Sequence, residues 1–139
     1  MPIIRCATES DEEAVFPLAT LLSPKFIIER ASFASAFEQL RASEDVYLRV
    51  LEESGIVIGY LLGWSRLAFY SNGPVGWVQE IVVHPDYRRR KLGKLLMNDF
   101  EKWVALRGGR LMSLATRGAT EFYLALGYME SATYYKKSI

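Results

Sequence analysis

With 139 residues the chain has length for one domain with a buried core and is short for two comfortable ones. Half of the residues are apolar and 13% are aromatic, which excludes an intrinsically disordered chain; 17 Lys and Arg against 16 Asp and Glu give a formal charge of +1, which excludes a general attraction to nucleic acid or membrane. The one cysteine, Cys6, excludes an internal disulfide framework and a multi-cysteine zinc site, and suits a reducing cytoplasm.

Ile3, Ile4 and Cys6 suggest a short first strand. Thr8 to Glu13 then offers N-cap residues and early acids before the apolar stretch Ala14 to Leu22, the signature of a helix start. Pro24 interrupts, and Phe26 to Leu40 sets Ile27, Phe33, Phe37 and Leu40 at helical spacing, which predicts a second helix closing before Glu44 and Asp45. Val46 to Leu51 alternates, Glu52-Glu53-Ser54-Gly55 turns, and Ile56 to Trp64 returns, a predicted hairpin. A second turn at Ser71-Asn72-Gly73-Pro74 leads into Gly76 to Val83, whose near-continuous apolar end predicts a central strand covered on both faces. Leu92, Leu95, Leu96, Phe100, Trp103 and Val104 form an apolar stripe with a period of about 3.6, ended by Gly108-Gly109. Leu111 to Ala115 reads as a strand, Ala119 to Leu126 as a short helix stopped by Gly127, and Tyr128 to Lys136 as a last strand. The order predicts an α+β domain over residues 1–139. Residues Met1 to Glu13 carry Arg5 and several acids but no long apolar core, and no apolar run approaches the roughly 20 residues of a membrane span, so the reading is a soluble cytoplasmic protein.

Arg88, Arg89, Arg90 and Lys91 stand where a buried strand passes, through His84-Pro85-Asp86, into the amphipathic helix. Helix N-termini carry free N–H groups and a positive dipole end and bind phosphate. Cations in a first turn are disfavoured by roughly 0.3–1 kcal/mol each, so a compensating anion is expected. Gly93 costs about 1 kcal/mol inside a helix, which is understandable where backbone must approach a ligand closely. Neither G-x-x-x-x-G-K-[ST] nor G-x-G-x-x-G is present. On charge alone a solvated cluster or a nucleic-acid patch fits equally well; the strand-to-helix position favours the anion site.

The run Val83-His84-Pro85-Asp86-Tyr87-Arg88-Arg89-Arg90-Lys91-Leu92-Gly93 resembles the acetyl-CoA-binding motif of the GNAT superfamily of N-acetyltransferases, [RQ]-x-x-G-x-[GA] after a strand ending V-x-P. Lys91 departs from it, standing where the first glycine usually lies; the expectation is that Lys91 keeps helical dihedrals and still offers its amide. Ala119-Thr120-Glu121-Phe122-Tyr123-Leu124-Ala125-Leu126-Gly127-Tyr128 is similar to the family's A-x-x-F-Y-x-x-x-G-[FY] signature. The resemblance implies a mixed sheet of about six or seven strands flanked by about four helices, with acetyl-CoA as co-substrate, an amine acceptor and no metal.

By the same resemblance, the strand bearing Ile81, Val82 and Val83 splays from its neighbour and takes the pantetheine arm. Amides of Arg89, Lys91, Gly93 and Lys94 then cradle the pyrophosphate, Arg88 and Arg90 add side-chain contacts, and Leu92, Thr116 and Phe122 complete the cofactor-binding set. Acetyl transfer to an amine requires a neutral nucleophile, a stabilised oxyanion and a proton for the departing thiolate. Glu80, just before the apolar strand end, is the general-base candidate, with a rim salt bridge as its other reading; Asp86 ranks below it as a turn residue. Tyr123 is the general-acid candidate, with aromatic packing as its other reading, a role given first to Phe122 and Tyr128.

The single histidine, His84, reads as a turn residue without a metal set, and Cys6 as a buried apolar residue of an edge strand rather than a nucleophile. Trp64, Phe69, Tyr70 and Trp77 flank the Asn72-Gly73 turn and either wall an acceptor site or pack the sheet. Glu12, Glu13, Glu44 and Asp45 either attract a cationic acceptor or serve as helix-end carboxylates. The leading reading is an N-acetyltransferase acting on a small-molecule or peptide amine, with no nucleic-acid or membrane partner and a homodimer left open. A non-catalytic acyl-CoA sensor and a nucleic-acid module are the competing readings.

Overall fold

The computed structural model describes residues 1–22 and 25–139. The interruption expected at Pro24 lies outside the described residues. One sheet runs β1 (Ile3–Cys6), β2 (Val46–Glu53), β3 (Ile56–Ala68), β4 (Gly73–Val83), β5 (Leu111–Leu114), in that spatial order. Each of the first three neighbouring pairs is antiparallel, and β5 lies parallel to β4. The helices are α1 (Glu12–Thr20), α2 (Arg30–Ala42), α3 (Leu92–Leu106) and α4 (Thr120–Ala125).

The sheet carries a core on each face, as two faces of apolar strand residues require. On one side α1 and α2 pack Val15, Leu18 and Phe37 over Val50, Tyr60, Leu62 and Val82. On the other, α3 and α4 bring Leu92, Leu96, Phe100, Val104 and Tyr123 against Tyr47, Leu61 and Val78. Gly63 lets α3 approach, since a Cβ there would lie 2.5 Å from the Phe100 ring. This packing fixes α3 against the sheet.

The expected α+β architecture is present, with five strands among the described residues rather than six or seven. The missing element is the strand expected at Tyr128 to Lys136. Tyr128 is used instead for packing, its ring 5.8 Å from that of Tyr123 and its hydroxyl donating to Glu101 at 2.6 Å. Residues 129–139 are exposed without regular structure, and Lys136 sits 4.7 Å over the Phe26 ring. Helix α2 starts at Arg30, after an extended Glu29, so Ile27 is outside it and 93% exposed. Cys6 is exposed, not buried, because it ends the edge strand where the sheet has no cover.

Lys91 also departs from expectation. It caps α3 in the left-handed region at φ 60°, ψ 24°, and Arg89 has φ 65°. The backbone thus takes a glycine-like conformation although a lysine occupies the position. Left-handed backbone costs an L-residue roughly 1–2 kcal/mol, of which the greater freedom of an unfolded glycine would return roughly 0.5–1 kcal/mol.

Two outcomes follow from this fold. Lys91→Gly should stabilise the ligand-free protein by about 0.5–1 kcal/mol in urea unfolding, while Lys91→Ala gives no gain. A second concerns Asp11, buried with its carboxylate 2.7 Å from the Arg5 guanidinium, which with the Thr8 amide holds its pKa below the ordinary carboxylate range. Its stabilisation is therefore complete above the unfolded value and is lost as the pH falls through the lower folded value. Unfolding followed against pH should show Asp11→Asn less stable than the parent at pH 7, with the difference shrinking below about pH 4.

Candidate active site

Pairing between β4 and β5 runs from Val75 opposite Leu111 to Val78 opposite Leu114 and stops there, while β3 keeps β4 paired as far as Val83. From Gln79 onward β4 therefore has a partner strand on one edge only among the described residues. The His84 amide donates to the Ile58 carbonyl of β3 at 2.7 Å. Strand alternation then turns the backbone groups of Val82 toward β3 and those of Ile81 and Val83 toward the free edge. A second extended segment has the N–H and C=O of Ile81 and the N–H of Val83 to pair with in that gap, while the Val83 C=O already accepts from Arg88 Nε.

A register shift between Leu62 and Gly63 leaves Gln79 as an extra residue of β4. The bulge reverses the alternation, so Val78 faces α3 while Glu80 faces the α1–α2 side with Tyr60 and Val82. Glu80 is half-buried, and its Oε1 accepts a 2.7 Å hydrogen bond from the Tyr60 hydroxyl. Burial, then the adjacent carboxylate, push the Tyr60 pKa up, so that phenol stays a donor across the ordinary pH range. No sequence signal singled out Tyr60; only the strand register brings it to Glu80.

The free edge of β4 leads to a cleft of about 450 Å³. Its cations are Arg88, Arg89, Lys91 and Lys94, its apolar lining includes Val83, Leu92, Phe122 and Leu126, and no carboxylate is among its lining residues. The amides of Arg89, Arg90, Lys91, Leu92, Gly93 and Lys94 find no acceptor among the described residues, and no side chain caps α3. Such amides at a positive helix end form an anion site. Gly93 lies beside the Phe122 ring, 3.3 Å from where a Cβ would stand, so its lack of a side chain lets α4 close this wall of the cleft.

The predicted site residues divide accordingly. Val83, Arg88, Arg89, Lys91, Leu92, Gly93, Lys94 and Phe122 line the cleft. Ile81 stands on the free edge of β4, and Val82 buries its side chain in the α1–α2 core. Arg90 turns away to Glu53 at 2.7 Å. Thr116 is exposed, its hydroxyl accepting from the Ala119 amide at 3.2 Å in the turn before α4. Arg88 donates from Nε to the Val83 carbonyl at 3.2 Å and so links the loop to the strand end. Tyr123 is buried on the α3–α4 side, its ring 4.9 Å from that of Phe122, and its hydroxyl has no partner among the described residues. Burial raises its pKa, which keeps the phenol protonated at neutral pH.

His84 serves the turn: its Nδ1 accepts from the Asp86 amide at 3.1 Å. Trp64 and Trp77 face each other across β3 and β4, half-buried, whereas Phe69 and Tyr70 at the hairpin tip are 105% and 73% exposed and pack no part of the sheet. Glu12 and Glu13 pair with Arg30, and Asp45 with Arg66.

The sequence profile of the acetyltransferase (GNAT) family matches residues 13–128. An aminoalkylphosphonate N-acetyltransferase of Salmonella typhimurium is 28% identical over 145 aligned positions that cover 100% of this chain and 94% of the relative. A solved structure described as a transcriptional regulator from Bacillus halodurans C-125 superposes with a TM-score of 0.93 at 23% identity, covering 100% of both chains. An aminoglycoside N-acetyltransferase solved in complex with CoA superposes with a TM-score of 0.85 at 21% identity, covering 100% of this chain and 96% of that one. These structural likenesses show the fold, and the profile takes in the bulged strand, the cationic loop and the Phe122-Tyr123 helix together. The chain therefore belongs to the GNAT acetyltransferase family.

Proposed function

We propose that residues 1–139 form one cytoplasmic N-acetyltransferase domain that moves an acetyl group from acetyl-CoA directly to a primary amine of a small molecule or peptide. The observation that carries this reading is the run of amides from Arg89 to Lys94, which have no acceptor among the described residues, beside a cationic cleft and the edge of β4 that no described strand pairs. A diphosphate fits the amides and cations, and an amide-bearing arm fits the strand edge, so the residues present suit acyl-CoA. Acetyl-CoA supplies the acetyl thioester; the remaining work falls to the chain.

In this reading the amides of Arg89, Lys91, Gly93 and Lys94 hold the diphosphate, with Leu92 and Phe122 on the apolar side of the cleft. Backbone groups of Ile81 and Val83 orient the arm, and an amide of this strand polarises the acetyl carbonyl. Arg88 fixes the strand end through Val83, while Val82 anchors the strand in the core and Thr116 holds the turn that presents α4.

Glu80 and Tyr123 lie on opposite faces of the sheet, and the gap beside β4 joins those faces. The donor therefore enters from the α3–α4 side and the amine from the α1–α2 side. An ammonium near neutral pH is not nucleophilic, and Glu80 takes its proton directly or through water. Tyr123, held protonated by burial, gives a proton to the departing thiolate. Direct transfer needs no acyl-enzyme, and exposed Cys6 sits at the far edge of the sheet from β4. A small amine is the first class to test, since one relative is named for aminoalkylphosphonates.

The test is release of free thiol from acetyl-CoA across aminoalkylphosphonates, polyamines, amino acids, aminoglycosides and peptides. Amine-dependent release with at least one class is expected; binding of acetyl-CoA without release for any class would support the sensor reading instead. Glu80→Gln and Tyr123→Phe should each lower kcat by about 100-fold, with the Kd for acetyl-CoA changed less than about threefold, as steady-state kinetics and calorimetry would show.

A further inference from the structure

Arg90 sits in the middle of the cationic loop, yet its guanidinium leaves the cleft and donates to Glu53 Oε1 at 2.7 Å, 37 residues earlier in the chain. Glu53 stands at the end of β2, and Ser54 and Gly55 make the turn into β3 with φ of 53° and 80°. Positive φ at both turn residues is the geometry of a tight two-residue hairpin, so the carboxylate is mounted at the foot of that turn. Its other oxygen, Oε2, is shielded from solvent and has no hydrogen-bond partner among the described residues, so Arg90 is the chief group that compensates this carboxylate, with a smaller contribution from the N-terminal ammonium. The Arg90 guanidinium also lies 5.7 Å from the centre of the Tyr87 ring, which lines the cleft. On either side of Arg90 the backbone is left-handed, at Arg89 and at Lys91, in residues that do not favour that conformation. A loop with two such residues relaxes unless its surroundings hold it.

We infer that Glu53 and Arg90 are positioning residues: their ion pair clamps the loop Arg89–Lys94 to the β2–β3 hairpin in the conformation that turns its amides into the cleft. The inference rests on the reading of that cleft as the acyl-CoA site. Arg90 then contributes to the site through its backbone, and its side chain acts through Glu53. The Glu53 side chain is 20% exposed and that of Arg90 is 43% exposed, and the pKa of Glu53 is lowered chiefly by its hydrogen bond from Arg90, as a formed pair requires. The effect should fall on binding of the charged end of the donor and leave the reacting end untouched.

The experiment compares two acetyl donors, acetyl-CoA and S-acetylpantetheine, which lacks the diphosphate, on the full chain and on Glu53→Gln, Arg90→Gln and the double variant. Each single variant should raise KM for acetyl-CoA by about three- to tenfold with kcat within about twofold, and the double variant should be no worse than either single one. With S-acetylpantetheine, kcat/KM should be unchanged. Equal losses with both donors, additive losses in the double variant, or an unaltered KM for acetyl-CoA would each overturn the clamp. If the parent chain itself binds no coenzyme A in calorimetry, the reading of the cleft fails, a result distinct from a parent that binds and variants that bind as well.

Discussion

A run of backbone donors without acceptors sets the terms for the rest of this structure. From Arg89 to Lys94 no amide has an acceptor among the described residues, and the cleft beside them is lined by no carboxylate. Ordinary helices satisfy their first amides with a capping side chain, and α3 has none. Its N-cap residue Lys91 and Lys94 in its first turn are cationic as well, against the preference of the helix dipole. Taken alone each feature is a local cost. Together they are the features of an anion-binding helix start, with positive φ at Arg89 and Lys91.

The sheet supplies the other half of the site by failing to close. If β5 continued alongside β4, the edge at Ile81 and Val83 would be occupied and the two faces would be sealed from each other. Divergence after Val78 and Leu114 leaves that edge free just where the Gln79 bulge reverses the alternation and carries Glu80 to the opposite face from Val78. The bulge thus sets the face with α3, α4 and Tyr123 apart from the face with α1, α2, Tyr60 and Glu80. The rigid packing of Phe100 against Gly63 keeps the mouth of α3 in register with this opening.

Much of this could be read from residue order. The apolar stripe of α3, the turn expected over Glu52 to Gly55 and the covered strand end at Val83 have strong local signals, and the fold repeats them, with β2 running on to Glu53 before the turn. The cationic loop was legible because its residue types oppose the normal rule for a helix start. What escaped the sequence depends on partners distant in the chain. The pattern from Tyr128 to Lys136 suits a strand, but a strand also needs a free neighbour, and Tyr128 is held instead by Tyr123 and Glu101. Cys6 has the chemistry of a core residue and the address of a sheet edge. Lys91 was located correctly as a departure from the glycine pattern, yet side-chain identity favoured helical dihedrals, and the surrounding loop imposed the left-handed ones. Arg90 and Tyr60 needed the register of the β2–β3 and β3–β4 pairs before their partners could be named.

The most direct measurement is a titration of isotopically labelled protein with coenzyme A, and separately with pantetheine, followed by amide resonances. The account predicts that coenzyme A moves the amides of Arg89 to Lys94 farther than any others, and that pantetheine leaves them in place while shifting Ile81 and Val83. Saturation with coenzyme A that leaves the amides of Arg89 to Lys94 unmoved would contradict it.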